Sequence, residues 1–364
     1  MANNQYQVFV FPSLMESHSG ELRQVAPTPL AGLKVLHEGQ AYLVGQLAVL
    51  EGVSAQKTMN ESPSDLGYQV LAKAGLLVGL QGAEGPVSLV TGFPWGTFLQ
   101  NRDAASQFFT RLTEIEYDAR PHGGPAVARR AVDIARVEVL PEIVGCAVAL
   151  RYGALKVNED AFVVSLGYGT CEACRMTRSG VVQRTMVSAP GLRVAVDLMG
   201  RDLARRFPAG LRRPHQLDAG FRAGEMVIQR QRVNVQDVRR SALERYFHDA
   251  LQPVFRNIWT DDDFLRANRL LLVGGGAHYA DLVDQFKREF DGVLDVTVVP
   301  QPELQAVTGY LHAAVALARK TGGSVIGLDI GNAQTVVAAR AGAEISGGED
   351  QLEWARASAA VLSE

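Results

Sequence analysis

Short apolar, β-branched runs alternate along this chain with longer stretches whose apolar residues recur every three or four positions. The runs at 7–13, 41–45, 86–92, 137–140, 161–166, 269–273 and 293–299 predict strands, several of them ended by Gly or Pro. The longer stretches predict helices over 46–51, 68–80, 103–112, 142–150, 193–206, 236–259, 277–290 and 305–319. Residues 14–32 and 52–64 read as polar loops, and 346–364 as a tail that starts polar and ends in a helix. Strands that alternate with helices in this way indicate an α/β class.

Two segments break the alternation in the same manner. At 161–175 and again at 325–340 an apolar strand runs into a Gly-containing turn and a second apolar strand returns. Two such hairpins facing one another would clamp a phosphate chain between two domains.

Composition narrows the class. The chain has 364 residues, 47% hydrophobic and 21% charged, which is ample for a soluble protein of two domains. A net charge of -3 argues against a surface built to hold nucleic acid or anionic lipid. Neither a membrane-spanning apolar stretch nor a basic-then-apolar leader is evident, so the cytoplasm is the expected location. Three cysteines leave one unpaired, which suits a reducing compartment. Cys171 and Cys174 form a CxxC, but inside a predicted hairpin, where positions i and i+3 face opposite sides. Two small strand side chains is the expectation, rather than a redox pair. Asp261, Asp262 and Asp263 are expected to cap a following turn, and Arg230, Arg232, Arg239 and Arg240 to be solvated surface charge, or else a filament contact.

Four places carry candidate chemistry, and each has an ordinary alternative. In 329–335 (Asp-Ile-Gly-Asn-Ala-Gln-Thr), Asp329 ends a buried-type strand, where a carboxylate is costly unless paired, hydrated or used to hold a water of Mg²⁺. Gly331 and Asn332 tolerate positive φ, which would turn amides toward an anion; the alternative is a plain hairpin with a capping acid. In 165–170, Ser165, Gly167, Tyr168, Gly169 and Thr170 suit a phosphate loop or an ordinary Gly-rich turn. Gly274, Gly275 and Gly276 end a strand before a helix, as a ligand-facing corner or merely a tight one; the spacing is not a dinucleotide fingerprint. Glu142, after Pro141, either orients a water or sits at a helix N-terminus for the sake of the dipole. Walker, HExxH and GxSxG motifs are missing, and the histidines show no metal spacing.

Together these motifs resemble the actin-like ATPase family, most of all the plasmid-segregation actins of the ParM/StbA kind. Residues 329–335, with Gly331, Asn332, Gln334 and Thr335, resemble its phosphate-1 loop. Residues 165–170 resemble phosphate-2, with Ser188 and Gly191 following, and 274–277 resemble the adenosine motif, with 302–310 after it. Residues 11–13, 42–45 and 90–94 resemble segments that follow phosphate-1, and Glu142 falls where the family carries its water-orienting group. The resemblance spans about residues 7 to 345. It implies an α/β, actin-like (ribonuclease H-like) two-domain ATPase fold with a nucleotide cleft between domains. The implied domains are 1–145 plus 303–364, and 146–302. The motif order is rotated, with phosphate-1 last, which implies a circular permutation joined at 321–324. A second departure is Ser165, where the family carries Asp.

What the resemblance implies is a cytoplasmic filament former, a homo-oligomer that binds ATP (or GTP) with Mg²⁺ and serves plasmid segregation. Asp329 would hold the metal and Glu142 the attacking water. DNA would be reached through a centromere-binding adaptor, without direct nucleic-acid or membrane contact. A nucleotide-binding scaffold with little hydrolysis is the rival that Ser165 favours; a small-molecule kinase on the same fold is a third. The terminal hairpin is expected to complete its own domain or that of a neighbour.

Overall fold

The computed structural model describes residues 6–58, 62–83, 85–207, 214–319, 322–340 and 354–356. The chain divides into two compact units, Met1–Val157 with Leu304–Glu364, and Asn158–Glu303. The boundary expected at 145/146 falls inside a continuous helix, and the division comes after that helix.

The first unit begins with β1 (Gln7–Pro12), β2 (Leu14–Ser17), β3 (Lys34–His37), β4 (Gln40–Val44), α1 (Gln46–Glu51) and β5 (Gln56–Lys57). It continues through α2 (Leu66–Gly79), β6 (Val87–Phe93), α3 (Trp95–Arg111), β7 (Glu114–Tyr117), β8 (Ala128–Ala131), β9 (Ile134–Pro141) and α4 (Glu142–Tyr152). Residues 14–17, expected to be loop, form β2 because β4 and β5 pair with it on either side. It joins a sheet of order β5-β2-β4-β3-β7-β8.

The second unit holds β10 (Ala161–Leu166), β11 (Thr170–Thr177), β12 (Gly180–Pro190), α5 (Arg193–Arg206), α6 (Pro214–Ala223), β13 (Glu225–Ile228), β14 (Gln231–Asn234) and α7 (Gln236–Tyr246). Then follow α8 (Gln252–Ile258), α9 (Asp261–Arg266), β15 (Arg269–Val273), α10 (Ala280–Glu289) and β16 (Asp295–Val298). The single helix expected over 236–259 is interrupted by a wide π turn at Phe247–Leu251. Pro253, in the first turn of α8, cannot donate to the helical ladder, and the wider turn absorbs the break.

The chain then returns to the first unit with α11 (Gln305–Ala318), β17 (Ser324–Ile330) and β18 (Gln334–Arg340). Gly322 and Gly323 both take positive φ, and Ser324 donates its N–H to the Pro86 carbonyl at 3.0 Å, which sets β17 beside β6. A Cβ at Gly323 would lie 2.0 Å from that same oxygen. The hairpin β17–β18 lies between β1 and β6 in the sheet.

The two five-stranded sheets have orders β1-β18-β17-β6-β9 and β12-β11-β10-β15-β16. In the second, an antiparallel meander β10-β11-β12 is extended by β15 and β16, parallel to β10. The first has the same pairing senses, provided that reading starts at β17 and runs β17, β18, β1, β6, β9. The last two strands among the described residues thus occupy the centre of the first sheet.

In the first unit Ile326, Leu328 and Ile330 point into a core with Phe11, Tyr68, Leu71, Leu89, Phe93 and Val337. Gly75 and Gly79 let α2 lie close on that face, since a Cβ at either would meet Leu328 or Ile326 and Val337. The tail expected to end as a helix lies mostly outside the described residues; its turn at 354–356 places Trp354 edge-on to Tyr152, 6.2 Å between centroids, and Arg356 on Glu138 at 2.6 Å. In the second unit Phe162, Val164 and Leu166 pack with Met199, Leu243, Tyr246 and Phe286. Cys171 lies in this core and Cys174 does not, so the CxxC pair does straddle the sheet; both are buried and neither is in a disulfide. Among the described residues no helix is long and apolar enough to cross a membrane.

Arg230, Arg232 and Arg240 are exposed, as expected of surface charge, and Arg239 is half-buried. Arg239 lies over the Tyr279 ring at 5.6 Å and donates to the Phe221 carbonyl; Arg240 pairs with Asp281 and Arg232 with Glu225. Helix spacing alone does not reveal partners on other elements. The aspartate run does cap α9, through a reciprocal Thr260–Asp263 box. Asp263 also binds Arg184 at 2.6 Å and Arg175 at 3.2 Å. Burial raises the Asp263 carboxyl, but Arg184 and the Thr260 donors outweigh it and hold the group at about 2. A depressed carboxylate contributes stability that is complete above the unfolded value near 3.8 and is lost as pH falls through about 2. Asp263→Asn is therefore expected to lower stability at neutral pH and to flatten its decline between about pH 4 and 2. Urea midpoints at a series of pH values check this; parallel curves for variant and wild type would refute it.

Candidate functional site

In the first unit, β17, β6 and β9 run parallel and their carboxyl ends lie side by side. Open α/β sheets bind ligands at such ends. Here they deliver Asp329, Thr91-Gly92 and, one residue beyond β9, Glu142. The alternation that sends Ile326, Leu328 and Ile330 into the core sends Gly327 and Asp329 to the other face. There α11 lies almost in backbone contact: a Cβ at Gly327 would be 2.7 Å from the Leu311 nitrogen and 2.8 Å from the Val307 oxygen. Thr91 fixes the strand end by donating its hydroxyl to the Leu328 carbonyl at 2.7 Å. Burial, and then the neighbouring Glu142 carboxylate, push the Asp329 carboxyl well above its ordinary range. Glu142 opens α4, with Pro141 at the cap, which is the helix N-terminus setting expected of it, and its charge acts on Asp329.

The 331–333 turn is held from outside by Ser13, which follows β1. The Ser13 N–H donates to the Ala333 carbonyl at 3.1 Å, and its hydroxyl lies 2.5 Å from the Gly331 carbonyl, which it donates to, and 3.0 Å from the Thr335 hydroxyl. Two expectations change here. Gly331 and Asn332 do not take positive φ, because a three-residue connection braced by Ser13 needs no left-handed turn. Thr335 is fully buried and spends its hydroxyl on Ser13, so it braces the turn rather than lining it. Gly331, Asn332 and Gln334 remain partly exposed.

In the second unit, β10 and β15 are parallel and end in the two other Gly-rich turns. The carbonyls of Gly167, Tyr168 and Gly169 accept the N–H groups of Leu192, Arg193 and Gly191 at 2.9–3.0 Å. In a planar trans peptide the N–H points opposite to the C=O. The amides of Tyr168, Gly169 and Thr170 are consequently turned away from α5, in the manner of an anion-binding nest. Gly191 is required: a Cβ there would sit 2.5 Å from the Tyr168 oxygen. The Tyr168 ring does not join the nest. It packs against the core, and burial and a hydrogen bond to Asp218 on α6 raise its hydroxyl pKa. Asp218 had no local signal, since the contact links positions far apart in the chain. Ser165 is buried within β10.

The three glycines divide by role. Gly274 takes φ 81° and Gly276 abuts Leu166, both leaving no room for a side chain, whereas Gly275 faces open space. The Gly274 N–H is held by the Pro302 carbonyl at 2.7 Å.

Among the described residues no three His, Cys, Asp or Glu side chains gather tightly enough to hold a metal by themselves. The Asp329–Glu142 pair suits a cation of another kind. Mg²⁺ keeps most of its waters and takes one or two carboxylates together with substrate phosphates.

Residues 1–145 match the family model described as actin like proteins N terminal domain. No curated protein matches the chain significantly. Among solved structures, the archaeal actin homolog Ta0583 has 19% identity and a TM-score of 0.65, over 82% of this chain and 90% of its own. It has also been solved in complex with ADP. The ParM of a 15-stranded filament from Clostridium botulinum has 15% identity and a TM-score of 0.65, over 82% and 91%. MamK, in a double helical filament, has 16% and 0.56, over 75% and 85%. The chain has the actin-like, two-domain α/β fold.

Proposed function

We propose that this protein is an actin-like nucleotide-dependent filament former that binds ATP or GTP with Mg²⁺. The observation that carries the reading is the Asp329–Glu142 pair at the carboxyl ends of parallel strands, beside the Ser13-braced turn. Asp329 would hold the metal, Glu142 would orient the attacking water, and Gly331, Asn332 and Gln334 would present the turn to phosphate. Mg²⁺, when bound, supplies charge neutralisation on the phosphate oxygens. In the second unit the amides of Tyr168, Gly169 and Thr170, beside Ser165 and Gly167, bind phosphate, and Gly274–Gly276 face the nucleoside, Gly275 most openly. The ADP complex of Ta0583 and the filaments of ParM and MamK support this reading by fold. The cyclic match of the two sheet orders supports a circular permutation joined at 321–324. Plasmid segregation through a centromere-binding adaptor in the cytoplasm is the role that goes with it. The second reading, a nucleotide-binding scaffold with weak hydrolysis, is favoured by Ser165.

Sedimentation and phosphate release separate these. The protein is expected to pellet with ATP and Mg²⁺ and to stay in the supernatant without nucleotide. A protein that remains monomeric in both at high concentration overturns the filament reading, and pelleting without phosphate release selects the scaffold.

A further inference from the structure

We propose that Tyr310 is a positioning residue, a rigid spacer that sets where Asp329 and Glu142 stand relative to one another. The inference rests on the nucleotide-hydrolysis reading above and goes beyond it, because it assigns the geometry of the site to a side chain buried behind it.

Tyr310 lies on α11, which packs against β6, β17 and α4, and it is completely buried. A glycine on each of those three elements faces it. A Cβ at Gly92, at the carboxyl end of β6, would lie 1.9 Å from the Tyr310 hydroxyl oxygen. A Cβ at Gly145 on α4 would lie 2.4 Å from Cε1 of the ring. A Cβ at Gly327 on β17 would lie 3.1 Å from the Tyr310 Cβ, and closer still to the α11 backbone. One side chain thus reaches β17 at its root, α4 along its edge and β6 at its tip.

Each of these glycines is a short step from a group of the site. Gly327 is two residues before Asp329, on the same face of β17. Gly145 is three residues after Glu142, about one turn along α4. Gly92 follows Thr91, whose hydroxyl holds the Leu328 carbonyl at 2.7 Å, immediately before Asp329. A phenol ring is planar and stiff, with only χ1 and χ2 to turn, so its span from root to tip is fixed. A buried ring that only fills volume needs apolar neighbours of any kind. This one sits where three elements that carry the site have each given up a side chain for it. Phe109 on α3 is the contrasting case: it too is completely buried, but in the core on the other side of the sheet with Tyr68 and Phe93.

The test measures phosphate release by the full chain with Mg²⁺ over a range of ATP concentrations, for wild type, Tyr310→Met, Tyr310→Phe and Phe109→Met. Methionine keeps much of the buried volume but is flexible, so it removes the spacer while leaving a filled core. Thermal unfolding of each variant reports folding, and Tyr310→Leu replaces Tyr310→Met if the latter does not fold. Tyr310→Met is expected to lose about 10–100-fold in kcat, the effect of a small misplacement of reacting groups, with KM within about twofold. Tyr310→Phe keeps the ring between the three elements and is expected to keep most of the turnover. Phe109→Met is expected to lose stability but not kcat. A wild-type kcat in the folded Tyr310→Met or Tyr310→Leu protein overturns the inference. So does an equal loss in Phe109→Met, which would make the effect one of general destabilisation, or a Tyr310→Phe as slow as Tyr310→Met. Wild type that releases no phosphate overturns the hydrolysis reading itself and the inference with it, a result read from a different protein than the variants.

Discussion

Gly309→Ala is expected to destabilise the protein by about 3 kcal/mol or more, read as a large fall in the urea midpoint. A Cβ at 309 on α11 would lie 1.8 Å from the Gly145 carbonyl oxygen and 2.6 Å from its carbon on α4. The obstacle is backbone on both sides, so no rotamer change relieves it and the two helices must separate. Gly145 is equally constrained, since its own Cβ would sit 2.4 Å from the Tyr310 ring, which in turn fills the space left by Gly92. Separation is felt at the site as well as in stability, because α4 begins with Glu142 and α11 lies against Gly327, two residues before Asp329. Gly275→Ala is the matched control. It meets nothing within 4 Å and has no positive φ, and it is expected to change stability by no more than about 0.5 kcal/mol. Equal midpoints for the two variants would show that the helix crossing does not depend on Gly309.

Local patterns were readable where one element sets its own limits. The apolar runs at 161–166 and 269–273 and the helix at 193–206 have the bounds of β10, β15 and α5. The strand–turn–strand pattern at 325–340 was legible for the same reason, and so was the acid at its end. What sequence could not supply was set at long range. Residues 14–17 become a strand only because β4 and β5 flank them. Trp95 begins α3 well before the periodicity at 103–112 becomes regular, because Pro94 at the cap fixes the entry. The Gly331–Asn332 turn follows Ser13, more than three hundred positions away, rather than its own glycine. Tyr168 is drawn inward by Asp218, and Arg240 across to Asp281. In each case a residue with a clear local propensity was overruled by a partner that only the folded chain brings near. The central place of β17 belongs with these, since hairpins at a chain end are as well suited to a sheet edge.

Asp329→Asn is expected to lower phosphate release by about 10²–10³-fold, the loss that follows removal of one preorganised charge at a reacting centre. The substitution keeps the shape of the side chain, so the β17 register with Val336 and the Ser13 brace should persist. Its effect on stability has the opposite sign. Without a cation, burial and the Glu142 carboxylate both disfavour a charge on Asp329. An amide removes that like-charge contact, so the metal-free variant is expected to unfold at a higher urea concentration than wild type. Adding Mg²⁺ with nucleotide should then raise the wild-type midpoint by mass action on the folded state and raise that of the variant much less. The two readouts together distinguish a site from a structural acid. A carboxylate kept for packing would lose stability and turnover in parallel when neutralised, whereas one kept for a cation would gain the first while losing the second.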